Sequence, residues 1–189
     1  MYKIYLFQQE ELVTYNFISR ILYLLPIERR EKALRYHNTI DRNNCVITYL
    51  LLKIALKECF DIKDFTMKYG ENGKPYLAEY TDVFFSISHC TNGCIVAVAD
   101  ELIGIDIQNI VAFSEKVAER VCCLAELDVL SKSTNKARDF IRMWTIKESY
   151  LKMTGEGIVG DLKSVNTLEM DYIDIIEMEN VIISIARNL

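Results

Sequence analysis

Residues 140–158 read FIRMWTIKESYLKMTGEGI, an amphipathic run that ends in two glycines. At about 100° per residue, Phe140, Ile141, Trp144 and Leu151 share one arc of a helix. Glu148 falls inside that arc, about 80° from Phe140. Lys152 lies at one edge, at about 120°, and Lys147 at the other, at about 340°. An unpaired buried carboxylate is costly enough to neutralise or to find a cation. Glu148 therefore calls for a lysine, a metal or a ligand. An i,i+4 ion pair with Lys152 would account for the spacing, at a few tenths of a kcal/mol if exposed. It would not account for a position inside the apolar stripe.

Working back along the chain, ELIGIDIQN (residues 101–109) is a strand by its β-branched content. Strands alternate faces, so Ile103, Ile105 and Ile107 make a core face. Gly104, Asp106 and Gln108 point the other way. A half-exposed strand with its polar side in water is the plain reading of that face. The chemical reading is a set of oxygen donors. Mg²⁺ takes one or two carboxylates together with phosphate oxygens and water. Asp106 and Glu148, helped by Gln108, could supply such a set if strand and helix are neighbours.

The flanking sequence reads as mixed helix and strand. YKIYLFQ opens as a strand, and residues 27–60 are helical with a break near His37 to Thr39. Asn72-Gly73 signals a turn, and FFSISH and CIVAVAD are strands around Thr-Asn-Gly. SEKVAERVCCLAELDVLSKS is helical, as is the segment from Ala137 to Thr154. Three strand-like runs close the chain, near 164–170, 171–177 and 180–186. Each half thus reads as strand, helices, strands. A pseudo-duplicated α+β fold is expected, its halves meeting near Asp100 and packed as one unit.

Composition bounds the class. The chain has 189 residues, 51% hydrophobic and 26% charged, which suits a globular protein. No stretch of about 18 uncharged apolar residues exists, so no membrane span is expected. Met1 leads into YKIYLF without a basic n-region or a small-residue cleavage site, so no secretion signal is expected. A net charge of −5 argues against a general nucleic-acid binder. Six cysteines, none in a CxxC pair, read as reduced cytosolic thiols. Arg29, Arg30, Lys32 and Arg35 form a basic cluster, which is a solvated helix face or part of a site.

GIDIQ (104–108) followed by WTIKESYLKMTGEG (144–157) resembles the paired signature of the Sfp-type 4′-phosphopantetheinyl transferases. In that signature, Gly-Ile-Asp-Ile-Glu is followed by Trp-x-x-Lys-Glu-Ser/Ala, then a lysine and Gly-x-Gly. NGKPYL, FSISHC and LPIERREKALRYH resemble further family segments, so the likeness touches residues from about 24 to 160. Such enzymes transfer the phosphopantetheine arm of coenzyme A to a serine of an acyl, peptidyl or aryl carrier protein. Adenosine 3′,5′-bisphosphate is the other product. The resemblance implies a pseudo-two-fold pair of α+β halves, 1–100 and 101–189, with the site between them.

It also implies roles. Asp106 and Glu148, with Gln108, would hold Mg²⁺, with Mn²⁺ as the alternative. Glu148 would accept the serine proton, and Lys152 would contact the phosphates. Ser88 and His89 would touch phosphates, Lys74 and Pro75 would border the adenine, and Arg29 and Lys32 would hold the 3′-phosphate. The implied protein is a cytoplasmic monomer whose partners are coenzyme A and an apo carrier, with no nucleic acid and no membrane. Gln108 departs from the family glutamate, Cys90 from a serine and Cys45 from a small hydroxyl residue. A non-catalytic relative that binds coenzyme A or a carrier is the competing reading.

Overall fold

The strand expected at 101–109 is the hinge of the architecture in the computed structural model, which describes residues 1–8, 15–157 and 162–188. The first half holds β1 (Tyr2–Phe7), α1 (Tyr15–Ile21), α2 (Ile27–Leu34), α3 (Thr39–Phe60), β2 (Met67–Tyr69), β3 (Pro75–Leu77), β4 (Phe84–Cys90) and β5 (Gly93–Ala99). The second holds β6 (Ile103–Asn109), α4 (Glu115–Val121), α5 (Leu124–Lys132), α6 (Lys136–Thr154), β7 (Asp174–Glu177) and β8 (Val181–Arg187). The fold is α+β.

Two antiparallel three-stranded sheets, β1-β5-β4 and β6-β8-β7, carry the core, and β2-β3 is a separate hairpin. Each three-stranded sheet places the last of its own three strands, in sequence order, between the other two. In both, the long helix (α3 or α6) lies in sequence between the first and second strands.

Alternation along the strands builds the layers. Ile95, Ala97 and Ala99 of β5 meet Ile103, Ile105 and Ile107 of β6 and Val181, Ile183 and Ile185 of β8 in one apolar cluster between the sheets. The opposite face of β5, with Val96 and Val98, packs under Leu52, Ala55 and Leu56 of α3. The opposite face of β6 and β8 lies under α6. Order through the molecule is therefore α3, sheet, sheet, α6. No helix among the described residues is long and apolar enough to cross a membrane.

Between the sheets, the edges of β4 and β6 meet without a shared backbone ladder. Ser86 Oγ accepts from the Ile105 N–H (3.0 Å) and Ser88 Oγ from the Ile107 N–H (3.4 Å). Serines two apart on a strand share a face, so one row of hydroxyls satisfies an otherwise orphaned strand edge.

Helix α6 starts on Asn135, whose side chain accepts from the Arg138 N–H (3.2 Å), and stops at Gly155 in the left-handed region (φ 78°). Its inner face makes three buried polar ties. Thr145 and Ser184 hydroxyls bond at 2.7 Å. Lys147 pairs with Glu126 at 2.9 Å, both fully buried. Lys152 reaches Asp106, as described below.

Four expectations are corrected. The helical run at 114–133 is two helices, because the chain is extended at Cys122 and Cys123. There Glu126 turns inward, accepting from the Cys123 N–H (2.8 Å) while it pairs with Lys147. The strand expected near 164–170 is instead two short 3₁₀ turns, Leu162–Ser164 and Thr167–Glu169. The Leu162 and Val165 carbonyls fold in to accept from Lys147 Nζ, which leaves this segment no extended ladder. Lys147 itself, expected at the edge of the stripe, is the largest fully buried side chain. In the run at 171–177 only Asp174–Glu177 is strand.

Gly104 fixes how near α6 comes. A Cβ there would lie 1.9 Å from the Ser149 carbonyl oxygen and 2.4 Å from the Met153 nitrogen, both backbone atoms of α6. Gly104→Ala is expected to lower stability by at least about 2 kcal/mol, read as a fall in the denaturation midpoint. Unchanged stability would refute the close approach.

Candidate functional site

The polar face of β6 is covered by α6 rather than bathed in water. Asp106 is 1% exposed and Glu148 7%. Glu148 arrives from α6 over the gap that Gly104 leaves, and Lys152 arrives one turn later. Lys152 does not turn back along its helix to form an i,i+4 pair. Its Nζ crosses to Asp106 Oδ1 at 2.5 Å and donates to Ser88 Oγ at 2.9 Å. Ser88 Oγ in turn donates to Asp106 Oδ1 at 2.7 Å. These three groups form a closed triangle at the β4–β6 seam.

Two oxygens stay outside that triangle. Asp106 Oδ2 and Glu148 Oε1 are buried without a hydrogen-bond partner. Burial pushes the Glu148 carboxyl above its ordinary range, the nearby Asp106 charge pushes it further, and Lys152 opposes both. Orphaned buried carboxylate oxygens are rare because they cost free energy. Their convergence fits a hard cation that keeps room for water and phosphate oxygens. Gln108 shares the strand face of Asp106 by alternation, and its side chain makes no hydrogen bond among the described residues. Among those residues no three His, Cys, Asp or Glu side chains converge. The donor set is therefore two carboxylates with an amide nearby, which suits a metal that is also held by its substrate.

Glu148 and Lys152 open onto a cleft of about 290 Å³, whose far wall is Asn72, Gly73, Lys74 and Pro75 from the β2-β3 hairpin. That hairpin is pinned to the end of α6. Lys74 Nζ donates to the Met153 carbonyl (2.6 Å) and Asn72 Nδ2 to the Gly155 carbonyl (3.1 Å). Burial lowers the Lys74 pKa. A lysine at the carbonyl end of a helix also complements its dipole.

The basic residues of α2 divide. Arg30 is structural, donating to the Leu22, Tyr23 and Leu25 carbonyls. Arg29 and Lys32 converge on the Tyr69 hydroxyl at 3.2 and 3.0 Å and line a second cavity of about 340 Å³. His89 connects the two regions electrostatically. Lost solvation holds its imidazole below the ordinary value, then Lys152 and Arg29 do, with Asp41 and Asp106 opposing. The cavity edged by Arg29 and Lys32 is suited to anions, and so is the end of the neighbouring cleft that Lys152 lines.

The structure thus brings Ser88, Asp106, Glu148 and Lys152 together, sets Lys74 and Pro75 on the facing wall, and places Arg29 and Lys32 around a neighbouring cavity. The sequence reading missed Ser86, Glu126, Lys147 and Asn72 as parts of the frame. The only signal for Ser86 was its spacing of two from Ser88. For Glu126, Lys147 and Asn72, partners distant in sequence decide, and no local pattern carries them.

Comparisons with known proteins agree with this geometry. Residues 102–182 match the family model of the 4′-phosphopantetheinyl transferase superfamily. A 4′-phosphopantetheinyl transferase of Bacillus subtilis is 29% identical over 144 residues, covering 74% of this chain and 64% of the relative. One of Bacillus pumilus is 29% identical over 169 residues, covering 86% of this chain and 72% of the relative. One of Aneurinibacillus migulanus is 32% identical over 148 residues, covering 76% of this chain and 60% of the relative. The chain spans less than about two thirds of the first and third of these relatives.

Glu148 carries an electrostatic cost that Lys152 offsets only in part. Glu148→Gln is expected to raise the melting temperature of the metal-free protein by about 2–4 °C, equivalent to about 1 kcal/mol in a chain of this size. Calorimetry showing no rise, or a fall, would mean the Glu148 charge is already compensated.

Proposed function

We propose that this chain, which belongs to the 4′-phosphopantetheinyl transferase superfamily, transfers the 4′-phosphopantetheine arm of coenzyme A to a serine of an apo acyl or peptidyl carrier protein. The observation that carries this reading is the pair of buried carboxylates, each with an unpartnered oxygen, beside a lysine and a serine hydroxyl at a cleft.

Asp106 and Glu148, with Gln108 ligating through its amide oxygen or through water, would hold Mg²⁺, with Mn²⁺ as the alternative. The bound ion would neutralise pyrophosphate charge. The chain's own groups do the rest. Glu148 takes the proton of the carrier serine, directly or through water. The serine oxygen forms a bond to the phosphorus that bears pantetheine. The bond from that phosphorus to the bridging oxygen breaks, and its electron pair leaves on adenosine 3′,5′-bisphosphate. Lys152 stabilises the charge that develops on the leaving oxygen. Ser88 and His89 orient phosphates, Arg29 and Lys32 hold the 3′-phosphate, and Lys74 and Pro75 border the adenine.

The halves 1–100 and 101–189 share a strand order, which supports a pseudo-two-fold relation with the site between them. A site drawn from both halves of one chain supports a monomer. Six reduced thiols support a reducing, cytoplasmic setting. Coenzyme A and an apo carrier are then the partners.

The test incubates the protein with coenzyme A, Mg²⁺ and a panel of apo carriers and weighs the carriers by mass spectrometry. A phosphopantetheine mass gain is expected on at least one carrier. Glu148→Gln should cut the rate by about 10²-fold or more with an unchanged circular dichroism spectrum. Substantial residual turnover would remove Glu148 from the mechanism. Gln108 favours one other reading, a non-catalytic relative that binds coenzyme A. Binding without any mass gain would select it. Gln108→Glu should tighten metal binding, and an unchanged metal dependence would put position 108 outside the ion's reach.

A further inference from the structure

We propose that Lys152 is the resident counterion of Asp106 in the ligand-free protein and competes with the divalent cation for that carboxylate. Lys152 therefore sets the cation affinity of the site as well as meeting the phosphates. This rests on the reading of Asp106 and Glu148 as the cation's donors.

The geometry of Asp106 carries it. Its Oδ1 already accepts from both Lys152 Nζ and Ser88 Oγ, while Oδ2 accepts from nothing. At 1% exposure Asp106 is shielded from bulk water. A cation using both of its oxygens must displace the lysine from Oδ1. A cation using Oδ2 alone sits close to an ammonium that is 2.5 Å from Oδ1. Either way Lys152 opposes it.

Charge counting gives the same sign. Asp106, Glu148 and Lys152 sum to one negative charge when all are ionised. Without Lys152 they sum to two, and a divalent cation is then fully matched. Among the described residues no other neighbouring cation is paired with Asp106. Lys74 is committed to the Met153 carbonyl, and Arg29 and Lys32 to Tyr69.

Lys152 is also built to move. Its side chain is 29% exposed, against 1% for Asp106, and sits at the mouth of the cleft. A long flexible stem can follow a phosphate once the carboxylate is occupied. Two effects of opposite sign then follow from removing one residue. Cation binding tightens because a competitor is gone. Transfer slows because a phosphate contact is gone.

The experiment measures Mn²⁺ binding by electron paramagnetic resonance on the full chain without coenzyme A. The proteins are wild type, Lys152→Met, Lys152→Arg and Asp106→Asn. Lys152→Met is expected to bind Mn²⁺ about ten-fold tighter than wild type, the scale of one unit charge removed near a divalent ion in a partly solvated site. Lys152→Arg, which keeps the charge, should bind as wild type does. A Lys152→Met protein with an unchanged circular dichroism spectrum and equal or weaker Mn²⁺ binding overturns the proposal. If that variant does not fold, Lys152→Gln carries the same comparison. Asp106→Asn separates the two readings. If it binds Mn²⁺ as well as wild type does, the cation site itself is misplaced. If it loses binding while Lys152→Met gains none, the site stands and the competition does not.

Discussion

Everything at the site depends on how near α6 comes to β6. Helix backbone and strand backbone can touch only where the strand has no side chain, and Gly104 is that place. The contact brings Asp106, two residues along, under the helix, and brings Glu148 and Lys152 over the strand. A wider spacing would admit water, and two carboxylates in water are unremarkable. At this spacing they are nine-tenths buried or more, so their charges must be answered by specific partners. The same approach supplies part of the binding energy of α6, through the Thr145–Ser184 bond and the apolar contacts around it. Fold stability and site chemistry are thus set by one distance.

The second constraint is the seam between β4 and β6. An ordinary ladder there would join the two sheets and commit the edge of β6 to backbone hydrogen bonds. Serine hydroxyls satisfy Ile105 and Ile107 instead. The substitution leaves Ser88 Oγ able to bond Asp106 and Lys152 as well. The hairpin then closes the cleft from the far side, fixed by Lys74 and Asn72 to the last carbonyls of α6. Elements from both halves of the sequence therefore hold the walls together.

Local pattern was enough to read most of this. Strand alternation in Ile103–Ile107 gave the inward face, and the helical arc gave the inward direction of Glu148. Turn chemistry at Asn72-Gly73 gave the hairpin, whose Gly73 has φ 80°. The failures share one cause. The run near 164–170 looks extended because it carries β-branched and small polar residues, yet the Leu162 and Val165 carbonyls serve a lysine on α6. Cys122-Cys123 looks helical because neither residue breaks helices, yet Glu126, drawn inward by the distant Lys147, captures the Cys123 N–H. Lys152 looked like a partner for Glu148 at i,i+4, yet Asp106 holds it from another element. In each case a buried charge from far along the chain outbid a weak local preference. A window of neighbouring residues cannot register such a partner.

Lys147 and Glu148, adjacent on α6, show how the same energetic problem can be answered in two ways. Lys147 is buried and completely served. It has the Glu126 carboxylate and two carbonyls, and Glu126 is served by Thr167 and the Cys123 N–H. Burial alone would raise the Glu126 carboxyl, but hydrogen bonds from Thr167 and Lys147 outweigh it and hold it low. That charge pair is closed and has nothing left to offer a ligand. Glu148, about 100° further round the helix, keeps an oxygen with no partner and a carboxyl pushed upward. A fold that can satisfy one buried charge so fully could have satisfied its neighbour. It leaves Glu148 incomplete on the one face that opens to the cleft. Such a group is costly in the empty protein and gains most when a cation arrives. The closed pair at 147 holds the helix in the rotation that aims the open carboxylate at Asp106.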